Sequence, residues 1–102
     1  MRDSRPEPEP VQIPIDGVLD LHTFRPGEVG VLLPEYLAAC RARGILEVRI
    51  IHGKGGGTLR RRVHALLGRD PAVLRYALAP PDAGGWGATL AVLAPGEITP
   101  SR

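Results

Sequence analysis

The stretch that most restricts the fold covers residues 50–64, IIHGKGGGTLRRRVH. An apolar run ends at His52, four glycines follow within five positions, and apolar residues at helical spacing start directly after them. A strand that leads through a glycine loop into a helix is typical of α/β folds, in which such loops lie at the edge of a sheet. The stretch therefore predicts a strand–loop–helix unit within a larger α/β arrangement.

The segments on either side extend this unit into the order β-α-β-α-β-β. Apolar and polar residues alternate over VLDLH, which predicts a first strand with its two leucines on one side and Asp20 and His22 on the other. EVRIIH is apolar almost throughout, and VLRYALA and ATLAVL predict two further strands. Two stripes at helical spacing lie between the first three strands, formed by Val29, Leu33, Leu37 and Cys40 and by Leu59, Val63, Leu66 and Leu67.

Proline, glycine and threonine predict where the helices begin and end. Pro26 suits the first position of the first helix, and Gly44 suits its end. Pro34 lies inside that helix and predicts either a kink over residues 30–34 or a division into two helices. Thr58 is the predicted N-cap of the second helix.

These elements predict a small two-layer α/β sandwich of one four-stranded sheet and two helices. Right-handed crossovers would make the first three strands parallel, and the last strand can pair antiparallel, so we expect a mostly parallel sheet. We expect residues 13–94 to form this domain. Residues 1–12, in which PEPEP favours extended chain, are predicted to be a disordered N-terminal arm, and residues 95–102 are predicted to be a tail.

Composition narrows the class of protein. The formal net charge is +2, and twelve of the thirteen lysines and arginines are arginine, which suits bidentate phosphate binding but also follows from GC-rich codon usage. The single cysteine, Cys40, excludes an intrachain disulfide and a thiol-only metal site. No secretory signal or membrane-spanning run is present, so we expect a cytoplasmic protein. The sequence leaves the oligomeric state open, with a monomer favoured.

The glycine loop (residues 53–57) and the helix start after it have the features of a phosphate site. Glycines let backbone N–H groups turn toward an anion, and a helix start adds partial positive charge. Arginines in the first helical turn oppose the helix dipole by roughly 0.3–1 kcal/mol each, a conflict that a bound anion would remove. A flexible linker beside solvated arginines is the alternative. The predicted phosphate-binding residues are Gly53, Lys54, Gly55, Gly57, Thr58, Arg60 and Arg61.

Two histidines follow the first two predicted strands. Because ligands of open α/β sheets bind outside the carboxyl ends of the strands, His22 and His52 are predicted to share one edge of the sheet. Asp20 lies one pleat before His22 and can fix its tautomer and raise its basicity. The three side chains are candidate catalytic residues. The alternative is that Asp20 bonds to nearby backbone and that both histidines are merely exposed.

The remaining candidates lie in or near GGWGAT, before the final strand. Trp86, the only tryptophan, is a candidate for stacking on a nucleobase, although a lone loop tryptophan more often fills a small core. His64 falls outside the apolar stripe of its helix and is predicted to be solvated, whereas Cys40 is predicted to pack in the core. The histidines lack the spacing of a zinc site, so no metal ligand is predicted.

Three blocks together resemble the signature of a known family. LDLH at 19–22, HGKGGGTLR at 52–60 and GGWGAT at 84–89 are similar, in order and spacing, to the three motifs of the Smr (small MutS-related) domain. The resemblance covers residues 13–93 and indicates a stand-alone, bacterial-type member. Thr23 stands where many members have glycine. The family's motif residues correspond here to Asp20, His22, His52, Gly53, Gly55 and Arg60.

The resemblance implies a sandwich similar to the C-terminal domain of bacterial translation initiation factor three. It also implies nucleic-acid binding and, in many members, an endonuclease that nicks DNA or cuts RNA. In such an enzyme His22 would be the general base, and His52 would be the acid or would stabilise the developing charge.

The substrate decides what else the reaction requires. RNA would supply its own 2′-OH nucleophile, whereas DNA would call for an activated water, for which a divalent metal ion is a candidate that no cluster of ligands in the sequence supports. The alternative function is a non-catalytic module that binds branched or structured nucleic acid. A small phosphorylated ligand fits less well, because no complete nucleotide-binding motif is present.

Overall fold

In the computed structural model, the described part of the chain covers residues 13–96; the predicted arm over residues 1–12, and the predicted tail beyond residue 96, lie outside it. Within this part, neither helix is long and apolar enough to cross a membrane. The predicted order of elements is confirmed: β1 is Val18–Asp20, α1 is Pro26–Ala42, β2 is Glu47–Ile51, α2 is Thr58–Arg69, β3 is Val73–Leu78 and β4 is Ala88–Leu93. Two short 3-10 turns, Pro81–Ala83 and Gly85–Gly87, precede β4.

The strands have the order β1-β2-β4-β3, so the prediction of a mostly parallel sheet is wrong. β1 and β2 are parallel, but β4 lies between β2 and β3 and pairs antiparallel with both. Two helices packed side by side, roughly 8–10 Å apart, cover about four strands at a spacing of roughly 4.8 Å. The crossover through α2 therefore leaves room for one strand beside β2, and β4 fills it on its return from β3.

Both helices cover one face of this sheet, and the core lies between the two layers. The predicted stripe of α1 is buried together with Tyr36, and Val63 and Leu67 of α2 are buried beside it. Asp20 at the end of β1 and His22 two residues beyond it are exposed, as the alternation predicts. Alternate residues of β1 and the segment after it, of β2 and of β4 complete the core: Leu19, Leu21, Val48, Ile50, Ala91 and Leu93.

The helix ends differ from the prediction in two respects. α1 begins at Pro26 as predicted, but one helix continues through the exposed Pro34, so the division into two helices is wrong. The N-cap of α2 is Gly57 with φ of 93°, whereas Thr58, the predicted cap, is the first helical residue. This left-handed backbone conformation is adopted readily only by glycine, which explains why the last glycine of the loop takes the cap position.

Candidate functional site

β1 and β2 end side by side, and two of the predicted site segments follow them. Asp20 lies opposite Ile51 in the parallel pairing, and the N–H of Leu21 donates to the carbonyl oxygen of Ile51 at 2.9 Å. Neighbouring strands lie roughly 4.8 Å apart, so the segments that carry His22 and His52 leave the sheet next to one another. They share one edge of the sheet, although their side chains have different surroundings.

Asp20 and His22 form an exposed pair at this edge. The backbone N–H of His22 donates to Asp20 Oδ1 at 3.0 Å, and His22 Nδ1 lies 2.7 Å from the same oxygen. The two bonds from His22, the backbone one foremost, lower the pKa of Asp20. The ionised carboxylate accepts, so Nδ1 carries the proton. In the neutral ring Nε2 then has a free lone pair, and 68% of the His22 side chain is exposed to solvent.

The turn that contains Thr23 does not require the glycine that many Smr domains have at this position. The N–H of Phe24 donates to the carbonyl oxygen of Leu21 at 2.9 Å, which closes a turn around this residue. No non-glycine residue within residues 13–96 has a positive φ, so a side chain at position 23 introduces no backbone strain. Thr23 is exposed and leaves the neighbouring Asp20–His22 pair intact.

His52 lies beneath the glycine loop and not at the surface. It is only 6% exposed, and its Nδ1 lies 3.1 Å from the carbonyl oxygen of Gly53. Its Nε2 lies 2.8 Å from Oγ1 of the fully buried Thr89, which also lies 2.8 Å from Nε2 of His64. A carbonyl oxygen only accepts, and this sets the order of the protons. His64 donates to Thr89, Thr89 donates to His52, and His52 donates to Gly53.

His64 is therefore a member of a hydrogen-bond chain, and the prediction that it is solvated is wrong. Its ring centroid lies 5.0 Å from that of Tyr76 in β3 and 6.1 Å from that of His52. α2 lies over β3 and β4, so the flank of its apolar stripe faces the sheet. Sequence reasoning also misses Thr89 as a site residue. The signal that could reveal it is the alternation of β4, which places Thr89 on the buried face with Ala91.

Acid is expected to destabilise the fold through His52 and His64. Burial, the main cause, and the nearby Arg60 guanidinium lower the pKa of both rings below 6.5. The unfolded chain therefore binds more protons than the folded chain as the pH falls through that value, and the free energy of unfolding falls with it. Urea denaturation at about pH 8 and about pH 5.5 measures the loss.

A matched variant assigns part of this loss to one ring. His64→Gln keeps an N–H donor to Thr89 and removes a titrating group, so it should lose less stability than the wild type between the two pH values. An equal loss in both proteins would contradict the contribution assigned to His64.

The two glycine-rich loops hold each other in place. The N–H groups of His52 and Gly53 both donate to the carbonyl oxygen of Gly87, at 3.0 and 2.8 Å. Gly87 is buried, and a Cβ placed on it would lie 3.0 Å from Lys54 Cγ, so the lysine side chain runs across this glycine. Lys54 Nζ ends 5.9 Å from the centre of the Trp86 ring, within cation–π range. These contacts favour a fixed loop over the flexible linker.

The three arginines of α2 have different neighbours. A Cβ placed on Gly57 would lie 3.1 Å from Arg60 Nη2 and 3.0 Å from Arg61 Nη1, so both guanidinium groups fold back over the helix start. Arg62 instead lies on α1, with its Nη2 2.7 Å from the Cβ position of Gly30. The one ion pair within residues 13–96 joins His22 and Asp20. No described carboxylate therefore neutralises Arg60 or Arg61.

The start of α2 is therefore strongly cationic. Its first turn contains no acidic residue, and its N-cap supplies no side-chain hydrogen bond. The first N–H groups of a helix have no intrahelical partner and carry partial positive charge. Together with Arg60 and Arg61, they form a site whose complement is an anion.

Fold and site together define a class: a small two-layer α/β domain with an exposed Asp–His pair at the sheet edge and a cationic helix start beyond a glycine loop. The chain belongs to the Smr domain family, which matches residues 19–94, about three quarters of its length. The resemblance of the three sequence blocks to that family is thereby confirmed.

Known proteins similar to this chain include two solved structures. The Smr domain of Thermus thermophilus MutS2 is 37% identical with a TM-score of 0.73, over 76% of this chain and 98% of that one. YdaL, a stand-alone small MutS-related protein from Escherichia coli, is 29% identical with a TM-score of 0.73, over 79% of this chain and 66% of that one.

The curated relatives are much longer than this chain. The whole Thermus thermophilus protein, named Endonuclease MutS2, is 38% identical over 77 residues, which are 76% of this chain and 10% of that protein. This chain thus spans about a tenth of the length of such relatives.

Proposed function

We propose that this Smr domain is a cytoplasmic endonuclease that binds the phosphate backbone of a nucleic acid and cleaves it. The observation that carries the proposal is the exposed Asp20–His22 pair, which lies at the end of β1 next to the end of β2, the strand that leads into the glycine loop. A base of this kind next to an anion site suits phosphodiester cleavage by general-base catalysis. The name of the Thermus thermophilus relative, an endonuclease, supports the same function.

The substrate phosphate is proposed to lie at the start of α2. The guanidinium groups of Arg60 and Arg61 already fold over this point, and the exposed Thr58 hydroxyl stands at the first helical position. Gly53 and Gly55 leave open space where a Cβ would lie, so a phosphate can approach the loop backbone closely. Lys54 adds a further cation beside the loop. The anion would relieve the repulsion between the arginines and the helix dipole.

In RNA, the nucleophile for cleavage is the 2′-OH of the substrate itself. His22 Nε2 takes the proton of a 2′-OH, the 2′-oxygen attacks the adjacent phosphorus, and the 5′-oxygen leaves. The leaving oxygen takes a proton from solvent at this exposed edge, and the products are a 2′,3′-cyclic phosphate and a 5′-OH. Asp20 holds the ring orientation and stabilises the imidazolium that forms. Arg60 and Arg61 stabilise the charge that develops on the phosphate oxygens.

His52 is proposed to act through the loop and not on the substrate. Both of its ring nitrogens already have partners, in Gly53 and Thr89, and the ring is buried. Of the two roles that the sequence allows, direct proton donation would require breaking one of these bonds. Holding the Gly53 carbonyl, and with it the orientation of the loop, requires no change. His52 is then a positioning residue for the groups that stabilise the charge.

Strand cleavage by the pure protein tests the proposal. Labelled RNA and DNA strands of one sequence are incubated at equal salt, with and without a chelator. No three His, Cys, Asp or Glu side chains within residues 13–96 cluster as a metal site. The chelator tests whether cleavage of DNA uses a divalent ion to activate water. We expect RNA to be cut with the chelator present and DNA only without it. No cleavage of either strand would contradict an endonuclease.

Replacing Arg60 or Arg61 by alanine should weaken binding about 10–150-fold, because a charge-assisted hydrogen bond contributes roughly 1.5–3 kcal/mol. The slope of log affinity against log salt should become shallower by about 1 for each phosphate that the variant no longer neutralises. Fluorescence anisotropy over a range of salt concentrations measures both. Arg69→Ala is the matched control, because Arg69 is an exposed arginine in the last turn of the same helix.

The outcome for the control decides between a site and a diffuse charge effect. Arg69→Ala should leave the affinity and the salt slope nearly unchanged. If all three variants weaken binding equally, the phosphate is not held at the start of α2.

A second function, a binding module without catalysis, is favoured by one observation. The buried bonds of His52 leave His22 as the single predicted catalytic histidine that is open to a substrate. Such a module would bind with the same dependence on salt but would cleave no strand. Cleavage and affinity measured on the same His22→Ala protein separate the two functions.

A further inference from the structure

A cleft beside the glycine loop shares only Lys54 with the proposed phosphate site. It has a volume of about 420 Å³ and is lined by Lys54, Leu78, Ala79, Pro81 and Trp86 together with glycines of the turn before β4. This volume lies within the range of roughly 300–1,000 Å³ that is typical of small-ligand sites. Its walls are mostly apolar, and Lys54 is its one charged residue. A flat, uncharged ring system has the complementary chemistry.

The turn that carries Trp86 is fixed, and it holds the ring outward. The N–H groups of Ala83 and Gly85 both donate to the carbonyl oxygen of Pro80 at 2.9 Å. Gly84 has φ of 113°, and a Cβ there would lie 2.9 Å from that of Ala88, so the turn depends on this glycine. Trp86 is nonetheless 53% exposed. A tryptophan that filled a core would be buried, so the core-filling alternative does not hold.

Lys54 connects this cleft to the phosphate site. It belongs to the glycine loop, its stem crosses Gly87, and its ammonium group approaches the Trp86 ring to 5.9 Å. A nucleotide whose phosphate lies at the loop would therefore have its base within reach of the ring. Stacking on an aromatic side chain contributes roughly 1–3 kcal/mol per base and does not depend on base identity.

We propose that this cleft binds one unpaired nucleobase, stacked against Trp86, of the strand whose phosphate lies at the start of α2. The inference rests on the proposed phosphate site and adds the class of substrate. Bases in an uninterrupted duplex are stacked on their neighbours and cannot enter the cleft, whereas bases in single strands, loops, flaps and junctions can. The domain should therefore prefer nucleic acid with unpaired nucleotides.

The sole tryptophan makes the test direct, because fluorescence excited at a wavelength that the two tyrosines do not absorb reports on this ring alone. Three probes of equal phosphate number are titrated at equal salt: a short oligothymidylate, an abasic strand of the same length, and a blunt duplex. The oligothymidylate should change the Trp86 emission and bind about 5–150-fold more tightly than the abasic strand, as the stacking energy requires. The duplex should bind no more tightly than the abasic strand.

Variants separate this inference from the phosphate site. Trp86→Ala, followed by the anisotropy of labelled probes, should bring the oligothymidylate down to the affinity of the abasic strand. Trp86→Phe should keep part of the difference. Arg60→Ala should weaken all probes by a similar factor. An unchanged ratio between base-containing and abasic strands in Trp86→Ala would overturn the base site while the phosphate site stands. Failure of every probe to bind would overturn both.

Discussion

Replacing His22 by alanine is expected to lower the rate of strand cleavage by about 10²–10⁴-fold and to change nucleic-acid affinity little. Cleavage should slow because the His22 ring supplies the proton acceptor at Nε2. Affinity should change little because the ring bonds to Asp20 and makes no described hydrogen bond to the glycine loop. Single-turnover cleavage at saturating protein measures the chemical step, and anisotropy with the same strand measures binding. A His22→Ala protein that cuts as fast as the wild type would show that the base has been wrongly assigned.

Added imidazole should restore part of the activity of His22→Ala. The site is exposed, and Asp20 remains as an acceptor that can orient the added imidazole through the N–H of its ring.

Thr23→Gly, which places the common Smr residue next to His22, should cleave at the wild-type rate, because the backbone at position 23 does not require glycine. Loss of activity in this control would show that the turn itself, and not the imidazole, limits the reaction.

The order of elements was predictable because each depends on local patterns, but the order of strands was not. Alternation over β1 and the stripe of α1 correctly identified which side chains are buried. No local signal distinguishes a β4 that pairs at the outer edge from one that inserts between β2 and β3. That choice follows from how many strands two packed helices can cover, which depends on tertiary packing.

The same packing explains which site residues were misjudged. His22 was predictable as an exposed residue from the period of β1, and it is exposed. His64 was misjudged because β4 lies beneath its flank of α2. With β4 at the outer edge of the sheet instead, that flank would have faced solvent. His52 follows the end of β2, as predicted. It continues the alternation of Val48 and Ile50, however, and its ring therefore points to the buried face, where it contacts Thr89. Catalytic and phosphate-binding roles of these residues remain predictions that the proposed experiments test.

The largest stability effect is expected at Thr89, whose hydroxyl joins two histidines in the core. Thr89→Val removes the donor to His52 Nε2 and the acceptor for His64 Nε2–H, with little change in side-chain shape. A buried polar group without a partner costs roughly 1–3 kcal/mol, and half-buried His64 can recover part of its loss from water. The free energy of unfolding in urea should therefore fall by about 1–3 kcal/mol.

Two controls show whether the hydroxyl or the packing is responsible for this loss. Thr23→Val makes the same chemical change at an exposed threonine, and it should alter stability by less than about 0.5 kcal/mol. Thr89→Ser keeps both hydrogen bonds and loses one methyl group, at a cost of about 0.8 kcal/mol. A valine variant as stable as the wild type, with the serine variant the less stable of the two, would mean that packing alone matters. The His64–Thr89–His52–Gly53 chain would then contribute nothing to holding the glycine loop on the sheet.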